Sequence, residues 1–414
     1  MSMVSRPFLA KLSNIISRAH TGADDNSSVL PFGGLNIILV GDFHQFLLVA
    51  TKASAPLFWP CNMERDTEDE LLGRHIYEQF DVVVRLKTQV RVTDPRWLDL
   101  LQHIRNGSCS KHHINMLWGL VLDNATCPPT DFHSSPWKDV VLVTPRHAVH
   151  MQWNSMTAYE QANMENILLI SCPAQDSVGG RALTLPEKFA VAANPKSGRG
   201  CNRQQWGGLL DKVVLAIGMH VMVTFNVTTD LDITNGAQGC VINIVLDSRE
   251  SLKRSANNVI QLEYPPVYVL MEMNRMKVNA LPGLPTGVLP VTPICRTFSV
   301  SSAGGKWTTI SHVQLPITAA YAFTDYHTQA QTLEHCIIDI GMPPSGQLTP
   351  FNAYIALSRS WGRDTTQLLR DFDVRLFTQH PSEYLRNEDK CLDKMDESTK
   401  LWWQMTKGSG GVYK

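Results

Sequence analysis

The residues best placed for chemistry follow an apolar run of strand length at residues 36–40. The run ends abruptly in Gly41 and Asp42, and Gln45 lies three residues further on. A nearly continuous apolar run is typical of a strand covered on both faces of a parallel sheet. Because ligands of such sheets bind beyond the carboxyl ends of the strands, Asp42 and Gln45 could sense a nucleotide phosphate or its attacking water. The alternative is a buried strand whose aspartate caps the next turn.

The composition describes an ordinary globular protein. The 414 residues are 43% hydrophobic and 18% charged, with a formal net charge of -1. That length leaves room for about two to four domains. The balanced charge argues against a protein that coats a polyanion non-specifically, but it allows a local basic channel.

The nine cysteines are scattered, without a C-x-x-C pair. This pattern favours reduced intracellular thiols over a disulfide framework. It also predicts no metal site, since zinc needs clustered ligands. The neighbouring His112 and His113 are interpreted as polar residues on the surface of a helix.

Two interpretations fit the first 23 residues, which lack Asp and Glu but contain three basic residues and several serines. Their composition resembles a mitochondrial transit peptide. They also fit a plain amphipathic helix, which we favour, with one apolar face made by Phe8, Leu9, Leu12, Ile15 and Ile16. No apolar stretch reaches the roughly 20 residues of a membrane span, and no secretory signal is evident.

Strand and helix signals alternate at both ends of the chain, which is typical of α/β units. Strands are predicted at 36–40, 81–86, 140–144, 336–340 and from 367, and helices near 97–105, from 148 and at 351–358. Between residues 165 and 310, short strand-like runs alternate with turn signals such as Asn235-Gly236, which predicts a β-rich insert. The proline-rich stretch 281–293 is interpreted as a surface crossing.

Six short motifs then occur in a definite order. They are Gly41-Asp42-Phe43-His44-Gln45, Leu86-Lys87-Thr88-Gln89-Val90-Arg91, Val141-Leu142-Val143-Thr144-Pro145-Arg146, Ile217-Gly218-Met219-His220, Ala320-Tyr321-Ala322-Phe323-Thr324 with Gln329, and Tyr354-Ile355-Ala356-Leu357-Ser358-Arg359. Each is weak alone. Together and in this order they resemble the PIF family of superfamily-one DNA helicases, which move five-prime to three-prime. The chain looks most similar to the fungal members related to Helitron transposon helicases.

The resemblance implies an α/β fold with two RecA-like domains, ATP in the cleft between them, and a small β-barrel inserted in the second. It divides the chain into the C-terminal part of a first RecA-like domain, a second RecA-like domain in two segments, a β-rich insert and a tail: 1–105, 106–200 with 315–385, 201–314, and 386–414. In the tail, Trp402 and Trp403 could stack bases, although packing of a terminal helix is the favoured interpretation.

The resemblance also assigns roles around the nucleotide. Gln45 would sense the γ-phosphate through water, and Arg91 and Arg359 would be two arginine fingers. Such a finger typically supplies about 10³–10⁵ in rate. Asp42 and Gln329 would be associated with ATP. The alternative for Arg359 is a helix-end charge that bonds the last carbonyl groups.

A second set of residues would hold single-stranded DNA or couple it to ATP. Hydroxyl and amide groups suit contacts to the sugar–phosphate backbone, which fix register without reading sequence. Thr and Asn near turns are also common caps. The candidates are Thr144, Arg146, Asn154, Thr324, Tyr326, His327 and Thr328.

The sequence departs from the family in its nucleotide chemistry. It contains no G-x-x-x-x-G-K-[ST] loop, and Gly304-Gly305-Lys306 lacks both the upstream glycine and the following Ser or Thr. The acidic pair that holds Mg²⁺ in the family would precede a segment similar to Ser2-Met3-Val4-Ser5. We therefore expect a truncated chain that lacks the main ATP- and Mg²⁺-binding residues and does not hydrolyse ATP alone.

Smaller departures point the same way. The family's Leu-Pro-Pro is replaced by Phe46-Leu47-Leu48, a basic residue by His327, and a glycine by Ala330. Missing neighbouring strands should expose apolar faces and unpaired edges within residues 1–105, with poor solubility or partial unfolding.

Three hypotheses therefore stand: a truncated ATP-dependent DNA helicase, a non-catalytic single-stranded DNA-binding or scaffold module derived from one, and a gene-model fragment. The expected partners are single-stranded DNA or DNA junctions, with no membrane and no obligate protein partner. The expected location is the nucleus, with the mitochondrion left open.

Overall fold

The computed structural model describes residues 2–21, 30–46, 48, 52, 54–193, 208–231, 233–250, 258–274, 281–301, 307–328, 331–343 and 347–408. The chain forms two compact units: unit 1 comprises residues 1–138 and 328–414, and unit 2 comprises residues 139–327. In the described part of the chain, no helix has the length and apolar character needed to cross a membrane.

Helices in the described residues are α1 (Arg6–Thr21), α2 (Glu68–Glu78), α3 (Pro95–Asn106), α4 (Lys111–Trp118), α5 (His147–Met164), α6 (Leu185–Ala193), α7 (Asp325–Thr328), α8 (Pro350–Leu357), α9 (Arg375–Thr378) and α10 (Glu383–Gly408). Strands are β1 (Val141–Val143), β2 (Leu169–Pro173), β3 (Gln175–Val178), β4 (Arg181–Ala182), β5 (Lys212–Leu215), β6 (His220–Val223), β7 (Gln238–Val245), β8 (Val259–Gln261), β9 (Tyr268–Met273), β10 (Val288–Val291), β11 (Ile294–Ser301), β12 (Trp307–Gln314), β13 (Ile317–Ala319), β14 (Ala322–Phe323), β15 (Cys336–Ile338) and β16 (Thr366–Leu368).

Helix α1 forms as predicted, but its buried face differs from the predicted one. Leu9 is fully buried, whereas Phe8 and Ile15 are 53% and 64% exposed. The small polar side chains of Ser13 and Ser17 are buried instead, because they accept hydrogen bonds from the backbone N–H groups of Phe32 and Gly33. Apolar periodicity alone therefore misplaced this face.

The two strands predicted in the first hundred residues are extended segments, and within the described residues neither belongs to a sheet. In the first, Ile37 and Leu39 pack against the core of unit 1, while Ile38 and Val40 are 86% and 77% exposed. In the second, residues 81–86, the exposed fraction reaches 90% at Leu86. The prediction of a buried strand at 36–40 and of a strand at 81–86 was wrong, and the expectation of exposed apolar side chains is confirmed.

The second extended segment contacts the long helix α10. The backbone N–H of Val83 donates to Thr399 Oγ1 at 3.1 Å, and that of Arg85 donates to Asp396 Oδ1 at 2.9 Å. Nearer the start of the helix, Glu388 accepts a 2.6 Å hydrogen bond from the buried Tyr77 hydroxyl. The tail from residue 388 is thus part of a helix that packs on the rest of unit 1, which was the favoured interpretation. Trp402 and Trp403 on this helix are about half exposed.

The predicted α/β elements at the end of the chain are confirmed within unit 1. Strands β15 and β16 are parallel and fully buried. Helix α8 begins after the capping residue Thr349 with Pro350 in its first turn, and it ends at Leu357 directly before Ser358 and Arg359.

Unit 2 is mostly β-structure. Its sheets run β10-β9-β7-β6-β13, β11-β12-β3-β4 and β5-β2-β8, and β1 pairs with β14 in parallel. The turn at Asn235-Gly236 connects β6 to β7, with Gly236 at φ +91°. The stretch 281–293 was wrongly interpreted as a surface crossing, because β10 lies in it and Leu289 and Val291 are buried. Strands β2, β3 and β4, which begin at residue 169, belong to these sheets, so the β-rich part is wider than 201–314. The proposed domain boundaries stay a prediction.

Helix α3 ends at a close backbone contact. Gly107 has a left-handed φ of +64°, and a Cβ there would lie 2.1 Å from the backbone oxygen of Gln379. Gly34 has a similar φ of +78°, but a Cβ there would meet nothing closer than 3.5 Å. Both glycines belong to unit 1.

We therefore expect Gly107→Ala to lower the free energy of unfolding by about 2–5 kcal/mol, because it adds a clash to the left-handed strain. Gly34→Ala carries the strain alone, about 1–2 kcal/mol. Urea unfolding of both variants measures the difference. Equal losses would show that the contact with Gln379 contributes nothing.

Candidate functional site

Arg359 lies directly after α8 and is almost completely buried, at 3% exposure. Its guanidinium donates from Nε to the carbonyl oxygen of Ile355 at 2.8 Å, from Nη1 to that of Thr328 at 3.2 Å, and from Nη2 to Ser358 Oγ at 2.7 Å. The carbonyl contact at the end of α8 is the one that the helix-end interpretation required. The arginine-finger role stays a prediction.

Arg91, which precedes α3 in the sequence, contacts the same turn after α8. Its Nη1 donates to the carbonyl oxygen of Ser358 at 3.0 Å, and its Nε donates to Thr332 Oγ1 at 2.9 Å. Ser358 therefore contacts both guanidinium groups, one through its carbonyl and the other through its hydroxyl. The structure brings together the two arginines that the sequence singled out.

The surroundings of both arginines disfavour their charged forms. Burial first and the positive charge of Arg91 second lower the pKa of Arg359 to about 10. Burial also lowers the pKa of Arg91. Among the described residues, no carboxylate forms an ion pair with either guanidinium. Two desolvated like charges without an acidic partner favour a bound anion.

An open pocket of about 610 Å³ lies beside Arg91. Its other lining residues are Val90, Thr93, Thr332 and Trp361, so one cation, two hydroxyl groups and an aromatic ring face the space. Trp361 is 40% exposed. The pocket has the donors and the room for a phosphate-bearing ligand.

Asp42 is engaged in a different interaction. Its carboxylate forms an ion pair with Arg105 and accepts the backbone N–H of His44 at 3.0 Å. Burial would raise the pKa of Asp42, but Arg105 and the His44 N–H outweigh that effect and lower it. This neutralised carboxylate does not fit a magnesium ligand.

Gln45 lies one turn from Asp42. It is half-buried, and its backbone N–H donates to the Asp42 carbonyl at 3.2 Å. Gln329 lies outside the described residues, as do Ala330 and the Gly304–Lys306 segment. Of the residues predicted around ATP, Arg91 and Arg359 are the ones that the structure joins.

Sequence reasoning missed the residues that support these groups. Arg105, in the last turn of α3, has a guanidinium carbon 6.0 Å from the ring centroid of Tyr354. The Tyr354 hydroxyl also raises the pKa of both Arg91 and Arg359, so it lies near all three cations. Tyr354 belongs to a recognised motif, but its role depends on spatial neighbours that the motif does not show.

In unit 2, the predicted DNA-binding residues gather after two neighbouring strands. Val143 of β1 pairs with Phe323 of β14 in parallel register, and the Thr144 N–H donates to the Phe323 carbonyl at 3.0 Å. Arg146 therefore follows one strand and Thr324 and Tyr326 follow the other at the same edge. This is where ligands of parallel sheets bind.

The members of this group differ in exposure. Tyr326 is 44% exposed and Arg146 and Thr324 are half-buried, whereas Thr144 is fully buried and its hydroxyl accepts the Arg146 N–H at 3.2 Å. Thr328 is buried and belongs to unit 1, and for His327 only its place in α7 is described. Arg146 and Tyr326 are thus the side chains best placed to reach a ligand.

The side chain of Asn154 forms hydrogen bonds with the backbone at the start of β14. Its Oδ1 accepts the N–H groups of Tyr321 and Ala322 at 2.9 and 2.8 Å, and its Nδ2 donates to the Ala322 carbonyl at 3.3 Å. The side chain is 4% exposed. Any contribution of Asn154 to DNA binding, which stays a prediction, would act by positioning the residues after β14.

Comparison with known proteins gives one consistent result. No protein-family model matches the sequence. The human ATP-dependent DNA helicase PIF1 is 24% identical over 353 residues, 83% of this chain and 42% of that protein, and the Xenopus laevis protein of the same name is 24% identical over 385 residues, 92% and 47%. The crystal structure of Pif1 helicase from Candida albicans superposes with a TM-score of 0.59 at 20% identity, covering 95% of this chain and 75% of that one. Bacteroides Pif1 bound to single-stranded DNA gives 0.58 at 16%, covering 94% and 73%.

The chain is therefore similar in sequence and in fold to Pif1 helicases. It has the mixed α/β fold of Pif1 helicases, which contain two RecA-like domains. The chain spans less than half the length of the curated Pif1 relatives it matches.

The Asp42–Arg105 ion pair should make the stability of this chain depend on pH. Because the folded pKa of Asp42 lies below its ordinary value of 3.8, the pair stabilises the fold fully above that value and loses its effect as the pH falls through the lowered one. We expect Asp42→Asn to cost about 1–3 kcal/mol at pH 7 and clearly less at pH 3.

Asp69→Asn is the matched control, because Asp69 pairs with Lys11 at 3.9 Å on the surface. Its cost should stay below about 1 kcal/mol at either pH. Urea unfolding at both pH values gives the four free energies. A cost of Asp42→Asn that does not change between pH 7 and pH 3 would contradict the ion-pair account.

Proposed function

We propose that this chain carries part of an ATP-dependent DNA helicase motor that moves five-prime to three-prime. In it, Arg91 and Arg359 contact the γ-phosphate, and the residues after β1 and β14 contact single-stranded DNA. The observation that carries the proposal is that the buried guanidinium of Arg359 and the half-buried guanidinium of Arg91 both contact Ser358, with no acidic ion-pair partner among the described residues. Phosphoryl transfer depends mainly on positioning and charge stabilisation, which such a pair supplies.

The described residues fit only part of the expected nucleotide machinery. Arg91 and Arg359 would hold terminal phosphate oxygens, but Asp42 is neutralised by Arg105, and the printed sequence has no G-x-x-x-x-G-K-[ST] loop. When bound, ATP with Mg²⁺ supplies the free energy of hydrolysis. We infer that this polypeptide alone hydrolyses no ATP, although it keeps an anion site.

The anion site can be tested directly with inorganic tripolyphosphate and isothermal titration calorimetry. Arg359→Lys keeps the charge but removes the planar fork, so we expect binding about tenfold weaker, as for loss of a charge-assisted contact. Arg91→Ala should weaken binding similarly. Arg375→Lys is the control, because Arg375 is exposed and pairs with its neighbour Asp373. Equal affinities in all four proteins would refute the arginine assignment.

Hydrolysis is a separate measurement on the same proteins. Phosphate release from ATP, with and without oligothymidine, should stay at the level of the buffer. A DNA-stimulated rate that disappears in Arg359→Lys would overturn the expected inactivity and would support a complete helicase mechanism in this chain.

DNA binding should depend on the edge formed by β1 and β14. Arg146→Ala is expected to weaken binding of fluorescein-labelled oligothymidine and to lower the slope of log K against log salt by about 0.7, the contribution of one single-strand phosphate contact. Tyr326→Ala should cost about 1–3 kcal/mol if its ring stacks on a base. Fluorescence anisotropy across a salt series measures both effects.

Arg249→Ala provides the control for these variants. Arg249 also lies in unit 2, but its side chain is 60% exposed and pairs with Asp247 two residues away. Its removal should leave DNA affinity unchanged. An Arg146→Ala protein that matches Arg249→Ala at every salt concentration would remove Arg146 from the interface.

The second candidate function is a non-catalytic single-stranded DNA-binding or scaffold module. The missing phosphate-binding loop in the printed sequence favours it. It predicts salt-dependent DNA binding that ATP does not change. Absence of binding at low salt would exclude this candidate, whereas ATP-dependent affinity would favour the motor.

A further inference from the structure

A third arginine lies beside the turn that Arg91 and Arg359 contact. Arg105 belongs to the last turn of α3, and its guanidinium carbon is 6.0 Å from the centroid of the Tyr354 ring. Tyr354 in turn lies one helical turn before Ser358, whose backbone N–H donates to the Tyr354 carbonyl at 2.9 Å. Side chains four residues apart lie on the same face of a helix. Arg105 is therefore close to the face of α8 that leads to the arginine pair.

The Tyr354 hydroxyl acts on all three guanidinium groups. Burial has the largest effect on the pKa of each arginine and lowers it, whereas the Tyr354 hydroxyl raises it in all three. Charges within about 10 Å of one another interact strongly enough inside a protein to change an affinity by roughly tenfold. The three positive charges therefore belong to one electrostatic neighbourhood.

Asp42 distinguishes Arg105 from the other two arginines. The two side chains form an ion pair in which the carboxylate and the guanidinium are 21% and 25% exposed. Burial would lower the pKa of Arg105, but the hydrogen bond and the negative charge of Asp42 raise it above its ordinary value. Among the described residues, Arg91 and Arg359 have no such carboxylate. Arg105 is thus the cation of this group whose charge is already balanced from within the chain.

We propose that Arg105 is a third cationic group of the anion site and that Asp42 is its internal counter-ion, which competes with a bound polyphosphate. The inference rests on the proposed function, because it concerns the same anion site. A carboxylate and a phosphate present their oxygens to a guanidinium in the same bidentate manner. While Asp42 holds Arg105, a ligand meets two unbalanced cations; without the carboxylate it meets three.

This competition links the anion site to the turn that carries Gln45. The Asp42 carboxylate also accepts the backbone N–H of His44 at 3.0 Å, and the Asp42 carbonyl accepts that of Gln45 at 3.2 Å. Because coupling between two binding events is reciprocal, a bound polyphosphate weakens the hold of Arg105 on Asp42. Occupation of the site by phosphate therefore loosens one of the contacts that fix this turn.

The first test measures binding of inorganic tripolyphosphate to the full chain by isothermal titration calorimetry at pH 7. Asp42→Asn should bind about tenfold more tightly than the unchanged protein, because Arg105 loses its counter-ion. Asp69→Asn is the matched control, since it also removes one carboxylate of unit 1, but one that pairs with Lys11 on the surface. Its affinity should change by less than about twofold. Damage to the fold would weaken binding, so a gain in affinity is specific to competition.

The second test removes the cation. Arg105→Gln leaves the charge of Asp42 unbalanced, so binding should become about tenfold weaker. Arg375→Gln is its control, because the exposed Arg375 pairs with its neighbour Asp373. In the double variant Asp42→Asn with Arg105→Gln, the gain of the single Asp42→Asn variant should disappear. Urea unfolding identifies the folded variants, and if Asp42→Asn does not fold, the comparison of Arg105→Gln with Arg375→Gln decides.

The outcomes separate this inference from the proposed function. Suppose that Arg359→Lys and Arg91→Ala weaken tripolyphosphate binding, while Asp42→Asn binds as Asp69→Asn does or Arg105→Gln as Arg375→Gln does. The counter-ion role of Asp42 is then overturned and the arginine pair stands. A gain that persists in the double variant also overturns it. If Arg91 and Arg359 have no effect on binding, both proposals fail.

Discussion

The packing of α3 is the constraint on which the arginine pair depends. Trp97 is fully buried on this helix, and its ring N–H donates to the carbonyl oxygen of Leu357 at the end of α8. Arg105, two turns further on, pairs with Asp42. Because α8 ends one residue before Ser358, the position of α3 determines where Ser358 presents its carbonyl to Arg91 and its hydroxyl to Arg359. The buried indole of Trp97 thus links the position of α3 to the turn that both arginines contact.

Sequence patterns predicted the elements whose signals are local. Helix α3 ends at Asn106-Gly107 as expected because glycine adopts the left-handed conformation without strain, and the turn at Asn235-Gly236 forms for the same reason. The segments 36–40 and 81–86 were wrongly predicted as strands. A strand also requires a hydrogen-bonded neighbour, which the local composition does not reveal. The buried face of α1 was mispredicted because two buried serines accept hydrogen bonds from backbone groups that are distant in the sequence.

The site was predictable to a similar extent. Ordered motifs located Arg91 and Arg359, and parallel-strand logic grouped Arg146 with Tyr326. The interaction partners of individual side chains could not be predicted. Nothing in the sequence near Asp42 indicates Arg105, and nothing near His113 indicates Asp99 on the preceding helix. The net charge of the chain likewise does not predict the charges that meet at one site. A net charge of -1 for the whole chain coexists with a buried cation, Arg359, beside the half-buried Arg91, since local electrostatics depends on which residues meet.

The contact between α10 and residues 83–85 has a consequence for self-association. An extended backbone with free amide groups is a template on which another polypeptide can add as a strand. Here Thr399 and Asp396 already accept the amide protons of Val83 and Arg85. An incoming strand could therefore pair with these two amide groups only if the 26-residue helix α10 moved away from them.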